Sequence, residues 1–118
     1  MEAGHSRAEA RRLARGLLSG PDRPTAVFAA SDTQAAGVLE AARDLGLRVP
    51  EQLSVVGYDD IELAEIVGLT TIRQPLFRSG QRGMQLLLDA LRGHPWPPTR
   101  EVLPLELVVR GTTGPPPA

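Results

Sequence analysis

An α/β fold, a parallel sheet flanked by helices, is predicted by three features of this sequence. Residues 25–30 ("TAVFAA") and 53–57 ("LSVVG") are continuous apolar runs without the alternation of a strand that has one wet face. Each is followed by a helical pattern, and a short β-branched run, 70–74 ("TTIRQ"), comes after the second. Strand, helix, strand, helix, strand at this spacing calls for right-handed crossovers and a parallel sheet, with residues 25–30 and 53–57 adjacent, central and buried on both faces.

The elements follow from local chemistry. Ser6 caps a helix running to about Leu18, with Glu9 three residues on completing a capping box, and "SGPDRP" stops it. After the first strand, Ser31 or Asp32 caps a helix whose apolar face is Ala35, Val38, Leu39, Ala42 and Leu45, and Gly46 ends it. The second strand leads through "GYDD" into a short helix over 61–67. Pro75 opens a longer helix, Leu76–Leu91, with Phe77, Met84, Leu87, Leu88 and Leu91 on one face. "RGHPWPPT" is a Pro-rich loop, "REVLPLELVVRGTT" is extended, and "GPPPA" is a frayed tail.

Composition narrows the function. The chain has 118 residues, 42% of them hydrophobic, enough for one compact core. It lacks cysteine, which excludes disulfides, thiolate metal sites and Cys nucleophiles. All 13 basic residues are Arg, yet the net charge of -1 makes no electrostatic case for direct nucleic-acid binding. The run Arg7, Arg11, Arg12 and Arg15 reads as a solvated helix face. Neither a signal-like apolar core nor a run of membrane-spanning length is present, so a cytoplasmic location without membrane association is expected. His5 and His94 have no second ligand at metal spacing, and Trp96 between prolines reads as a loop anchor. No metal, cofactor or catalytic residue is expected, since Ser31 has no recognisable His and Asp arrangement around it.

In an open parallel sheet, ligands bind beyond the carboxyl ends of the strands. Ser31 and Asp32 end the first strand, Asp59 and Asp60 the second, and Gln74 the third. A carboxylate there can accept hydrogen bonds from sugar hydroxyls or from ring N–H groups. The competing reading is that Asp59 or Asp60 merely caps the helix that starts near Ile61.

"PTAVFAASDTQAAGVLEAARDLGLRVPEQLSVVGYDD", then "LTTIRQP", then "LPLELVVRGTT" resembles the C-terminal part of the effector-binding region of the lactose-repressor/galactose-repressor (LacI/GalR) family of bacterial transcription regulators, over about residues 3–113. The resemblance implies a partial periplasmic-binding-protein-like lobe over residues 1–118, with the DNA-binding headpiece and the N-terminal portion of the first lobe absent. It implies a small effector, a sugar foremost, held between two lobes. It places the polar effector contact on Ser31 with Asp32 beside it, the acid of the "G-Y-D" turn on Asp59, and the cleft residue after "L-T-T-I" on Gln74. The family often carries Asn where this chain has Ser31, and its loop before "LTT" is often longer than Val67-Gly68.

With half the lobes missing, the apolar face of the 76–91 helix lacks its family partner, and a homodimer is expected. Its contacts are placed on the helix after Ser31 and on 61–67, with exchange of the segment after Gln74 as a route open to it. DNA is reached only through the absent headpiece. Two other classes compete. One is a transport-type periplasmic small-molecule-binding protein, against which the missing signal peptide counts. The other is a phosphoacceptor in which Asp59 and Asp60 hold Mg²⁺, which wants a Lys that this chain lacks.

Overall fold

A computed structural model describes residues 6–95 and 100–118. His5 and Trp96 lie outside the described residues. The chain divides into two compact units: Met1–Arg73 with Leu107–Ala118, and Gln74–Glu106.

In the first unit, α1 (Arg7–Leu18), β1 (Ala26–Phe28), α2 (Asp32–Asp44), β2 (Ser54–Val56), α3 (Glu62–Val67) and β3 (Thr71–Arg73) alternate as expected. β1 and β2 are parallel, with Val27 opposite Val55. Parallel bridges join Val56 to Thr70 and Asp59 to Arg73, so β3 continues the sheet on the far side of β2. β4 (Glu106–Val108) pairs with β3. The chain beyond it then lies beside β2, where the Val55 N–H donates to the Thr112 carbonyl at 2.8 Å.

The helix ends obey the sequence signals. The Ser6 hydroxyl accepts from the Glu9 N–H, but the Glu9 carboxylate turns to Arg12 instead of completing the capping box. α3 closes with a left-handed Gly68, whose N–H donates to the Glu65 carbonyl while Leu69 N–H reaches back to Ala64. That pattern needs a residue free of the Cβ penalty at positive φ, and it lets Leu69 drop straight into the core. The tight Val67-Gly68-Leu69 connection is thereby accounted for.

The core forms on one face of the sheet. Leu53, Val55 and Ala29 pack with Ala14 and Leu18 of α1, Ala35, Val38, Ala41 and Ala42 of α2, Ala64 of α3, and Leu69. The small side chains of α2 let α1 approach so closely that a Cβ at Gly37 would clash with the Arg7 carbonyl. Burying Leu53 and Leu69 completely contributes about 1.5–3 kcal/mol each.

β1 corrects one expectation. It is not buried on both faces: Ala26 is exposed and Phe28 keeps 65% of its surface. Side chains alternate along a strand, so Val27 and Ala29 meet the helices while Phe28 points to the opposite face. β1 also has β2 as its sole strand neighbour among the described residues, which makes it an edge rather than a centre. A recess of about 430 Å³ beside it is lined by Leu13, Leu17, Val27 and Phe28.

In the second unit, α4 (Leu76–Leu91) matches its expected bounds. None of its residues is buried, and Phe77 is 86% exposed. The amphipathic face read from the sequence is therefore open, and Arg82 pairs with Glu101 across the unit.

Candidate functional site

The carboxyl ends of β1 and β2 are stitched together by backbone. The Asp32 N–H donates to the Tyr58 carbonyl at 2.9 Å, which sets the start of α2 beside the "GYDD" turn. Ser31 is the N-cap of α2, its hydroxyl oxygen accepting from the Gln34 N–H at 3.2 Å. A hydroxyl in that role still has its own proton to give, and Ser31 is partly exposed.

Asp32 does not share that position. It was expected beside Ser31 at the cleft edge, yet it is completely buried, and both oxygens serve the fold. Oδ1 accepts from the Thr71 hydroxyl at 2.5 Å, and Oδ2 from the Ile61 N–H at 2.8 Å. One carboxylate thus ties the start of α2 to β3 and to the N-cap of α3. Its neighbourhood is so tight that a Cβ at Gly57 would collide with Asp32 Oδ1 and with Leu69. The physical reason for the correction is that the first residue of α2 turns inward, where buried donors need an acceptor.

The same geometry gives the acceptor at the start of α3 to Asp32. Ile61, the N-cap of α3, has no side-chain cap bond of its own, and Asp32 supplies the acceptor there. Asp60 is taken by ion pairs: Arg73 Nε donates to Oδ2 at 2.7 Å, and an Arg110 terminal nitrogen lies 2.8 Å from Oδ1. The Arg73 hydrogen bond is the main cause that holds the Asp60 carboxyl below its ordinary value, with burial working against it and Arg110 adding to the lowering. Its side chain is only 10% exposed, with the guanidinium groups of Arg73 and Arg110 against its two oxygens.

Asp59 remains partly exposed at the strand end. Its N–H donates to the Ile72 carbonyl at 2.9 Å, and its φ is 117°. Asp60 follows with φ 59°, so two consecutive non-glycine residues occupy the positive-φ region. Such conformations cost roughly 1–3 kcal/mol each and persist where surrounding bonds over-determine them. Gln74 begins the second unit, where its carbonyl accepts from the Leu76 N–H. The structure thus brings Ser31 and Asp59 to one strand-end edge and moves Asp32 inside.

Sequence reasoning missed Thr71, Arg73 and Arg110. Thr71 and Arg73 sit in a run that reads as an ordinary strand, and Arg110 is fifty residues from its partner. The one available signal was the second acid of "GYDD", since Asp tolerates positive φ better than most residues.

A parallel sheet with helices following its strands and polar side chains at one strand-end edge is the architecture of an open α/β binding module. The family model described as a periplasmic binding protein-like domain matches residues 1–113, and the chain belongs to this family. Within it, the relatives are LacI-family regulators, as the motifs led us to expect. The chain is 43% identical over 99 residues to the HTH-type transcriptional repressor CytR of Escherichia coli K12, covering 82% of this chain and 29% of the repressor. The dimeric Lac repressor with an 11-residue C-terminal deletion superposes with a TM-score of 0.86 at 36% identity, over 94% of this chain and 41% of that one. A LacI family regulator from Arthrobacter sp. FB24, solved in complex with lactose, gives 0.85 at 33% identity, over 95% and 43%. The chain therefore spans about three-tenths of the length of the curated relatives it matches. These relatives are transcription regulators rather than enzymes. No helix among the described residues is long and apolar enough to cross a membrane.

Proposed function

We propose that this chain is the C-terminal part of the effector-binding domain of a cytoplasmic LacI-type transcriptional repressor, without catalytic activity of its own, and that its effector is a small polyhydroxylated molecule, a sugar. The observation that carries the reading is the pair at the strand ends, Ser31 and Asp59, two partly exposed residues on hydrogen-bonded neighbouring peptides, one bearing a hydroxyl and the other a carboxylate. A carboxylate that accepts from two vicinal hydroxyls is the recognition chemistry a sugar needs, and lactose in the similar Arthrobacter regulator fits that class. Gln74, assigned to the same role by the family resemblance, carries an amide that can donate and accept. Asp32 contributes by holding the edge in place.

A partial lobe is supported by the open strand edge of β1, its exposed Phe28, and the apolar recess beside it. DNA contact belongs to a headpiece outside these residues. A homodimer is supported by the apolar surface of α3, where Ile66 is 74% exposed, and by the dimeric state of the similar Lac repressor. The test is calorimetry on the longer polypeptide that carries this segment, titrated with lactose and a panel of related sugars. Asp59→Ala is expected to weaken the sugar that binds by about tenfold to a hundredfold, the loss of a charged acceptor to a desolvated ligand. Unchanged affinity in that variant refutes the assignment.

A further inference from the structure

Asp60, the neighbour of Asp59, is held by two ion pairs. Asp60 reaches away from the edge to two arginines that stand at particular points of the chain. Arg73 is the last residue before the chain leaves the first unit, and Arg110 is the fourth residue after it returns. Arg110 is itself anchored: its N–H donates to the Thr70 hydroxyl, and its guanidinium donates to the Leu69 carbonyl at 3.0 Å. The Asp59 amide meanwhile bonds to Ile72, the residue before Arg73. The Asp59–Asp60 turn is thus gripped from β3 on one side and from the post-β4 segment on the other.

We propose that Asp60 is a positioning residue for effector binding: by bridging Arg73 and Arg110 it holds the Asp59 peptide in its positive-φ posture and so aims the Asp59 carboxylate. The inference rests on Asp59 as an effector contact, but the posture itself is measurable without any ligand. An L-residue at φ 117° followed by another at 59° relaxes toward the ordinary β or α regions when its restraints are cut. Asn at position 60 fits the same volume and keeps one acceptor, yet it cannot hold two guanidinium groups by charge.

Amide hydrogen exchange on the ¹⁵N-labelled 118-residue chain tests this, comparing wild type, Asp60→Asn and Arg73→Lys. In Asp60→Asn, the Asp59 amide is expected to exchange about tenfold faster or more and to move in chemical shift, while the Ala29 amide, bonded to Val56, and the Ala35 amide, bonded to Ser31, keep their protection. Arg73→Lys, which keeps the charge and loses the fork, should fall between the two. Faster exchange at Ala29 and Ala35 to the same degree would show a general structural role and overturn the proposal, as would an unchanged Asp59 amide. If Asp60→Asn fails to fold, Arg73→Gln, which leaves the Arg110 pair intact, takes its place with the same expected pattern. Unchanged lactose affinity of Asp59→Ala in the longer polypeptide would sink the effector assignment alone, whereas the exchange pattern judges the latch whatever Asp59 binds.

Discussion

Removing the buried carboxylate at Asp32 should be among the most destabilising single changes in this chain. Asp32→Ala leaves the buried Thr71 hydroxyl and the half-buried Ile61 N–H without their acceptor. Hydrogen bonds to a charged group contribute about 1.5–3 kcal/mol each, and orphaned buried donors add to the cost, so the loss should be about 3–5 kcal/mol. That is a large share of the roughly 5–15 kcal/mol available to a domain. Asp32→Asn separates charge from hydrogen bonding. Its carbonyl can still accept from Ile61 and its amide can donate to the Thr71 oxygen, so it should cost only about 1 kcal/mol. Thr71→Val should lie between them. Urea denaturation followed by circular dichroism reads all three. An Asp32→Ala chain that unfolds within about 1 kcal/mol of wild type would refute the reasoning, because the carboxylate would then be replaceable by water. The order Ala worse than Val worse than Asn is the more discriminating outcome.

Gly57→Ala should destabilise by about 2–4 kcal/mol, since its methyl group would enter the space of Asp32 Oδ1 and Leu69, and thermal melts will show it. Leu69→Ala should cost about 2–5 kcal/mol by leaving a cavity under the Gly68 turn, with the same assay as the check. Asp60 predicts a pH dependence: its carboxyl is held below the ordinary 3.8, so its ion pairs stabilise the folded chain above that value and are lost as pH falls through the lowered one. Wild type should therefore lose more stability than Asp60→Asn on acidification below about pH 4, with a modest difference of about 1 kcal/mol because the pairs lie near solvent. Light scattering at micromolar concentration should give twice 12.6 kDa, and Ile66→Asp on α3 should return the monomer.

Much of the architecture was legible in the sequence because it rests on local rules. Ser6 and Ser31 cap their helices through bonds three residues away, Gly46 ends its helix by conformational freedom, and the apolar runs at 25–30 and 53–57 supply the parallel pair at 26–28 and 54–56. The helix Leu76–Leu91 kept its bounds for the same reason. The edge where ligands meet a parallel sheet follows from topology, so Ser31 and Asp59 could be placed there without coordinates.

Only the tertiary structure decided how the acids divide their work. Whether Asp32 faces solvent or core depends on which way the first turn of α2 leans, and that is fixed by a strand starting thirty-nine residues later, at Thr71. Asp59 and Asp60 are the same residue in composition and propensity. Asp60 is drawn into ion pairs by Arg73 and Arg110, thirteen and fifty residues on, and nothing in its own propensity sets it apart from Asp59 for that role. The burial of β1 was likewise undecidable from its own apolar run, because a strand is central only if another chain segment lies beside it. Local patterns fix what a residue can do. Long-range contacts, formed only when the chain closes, fix which of those things it does.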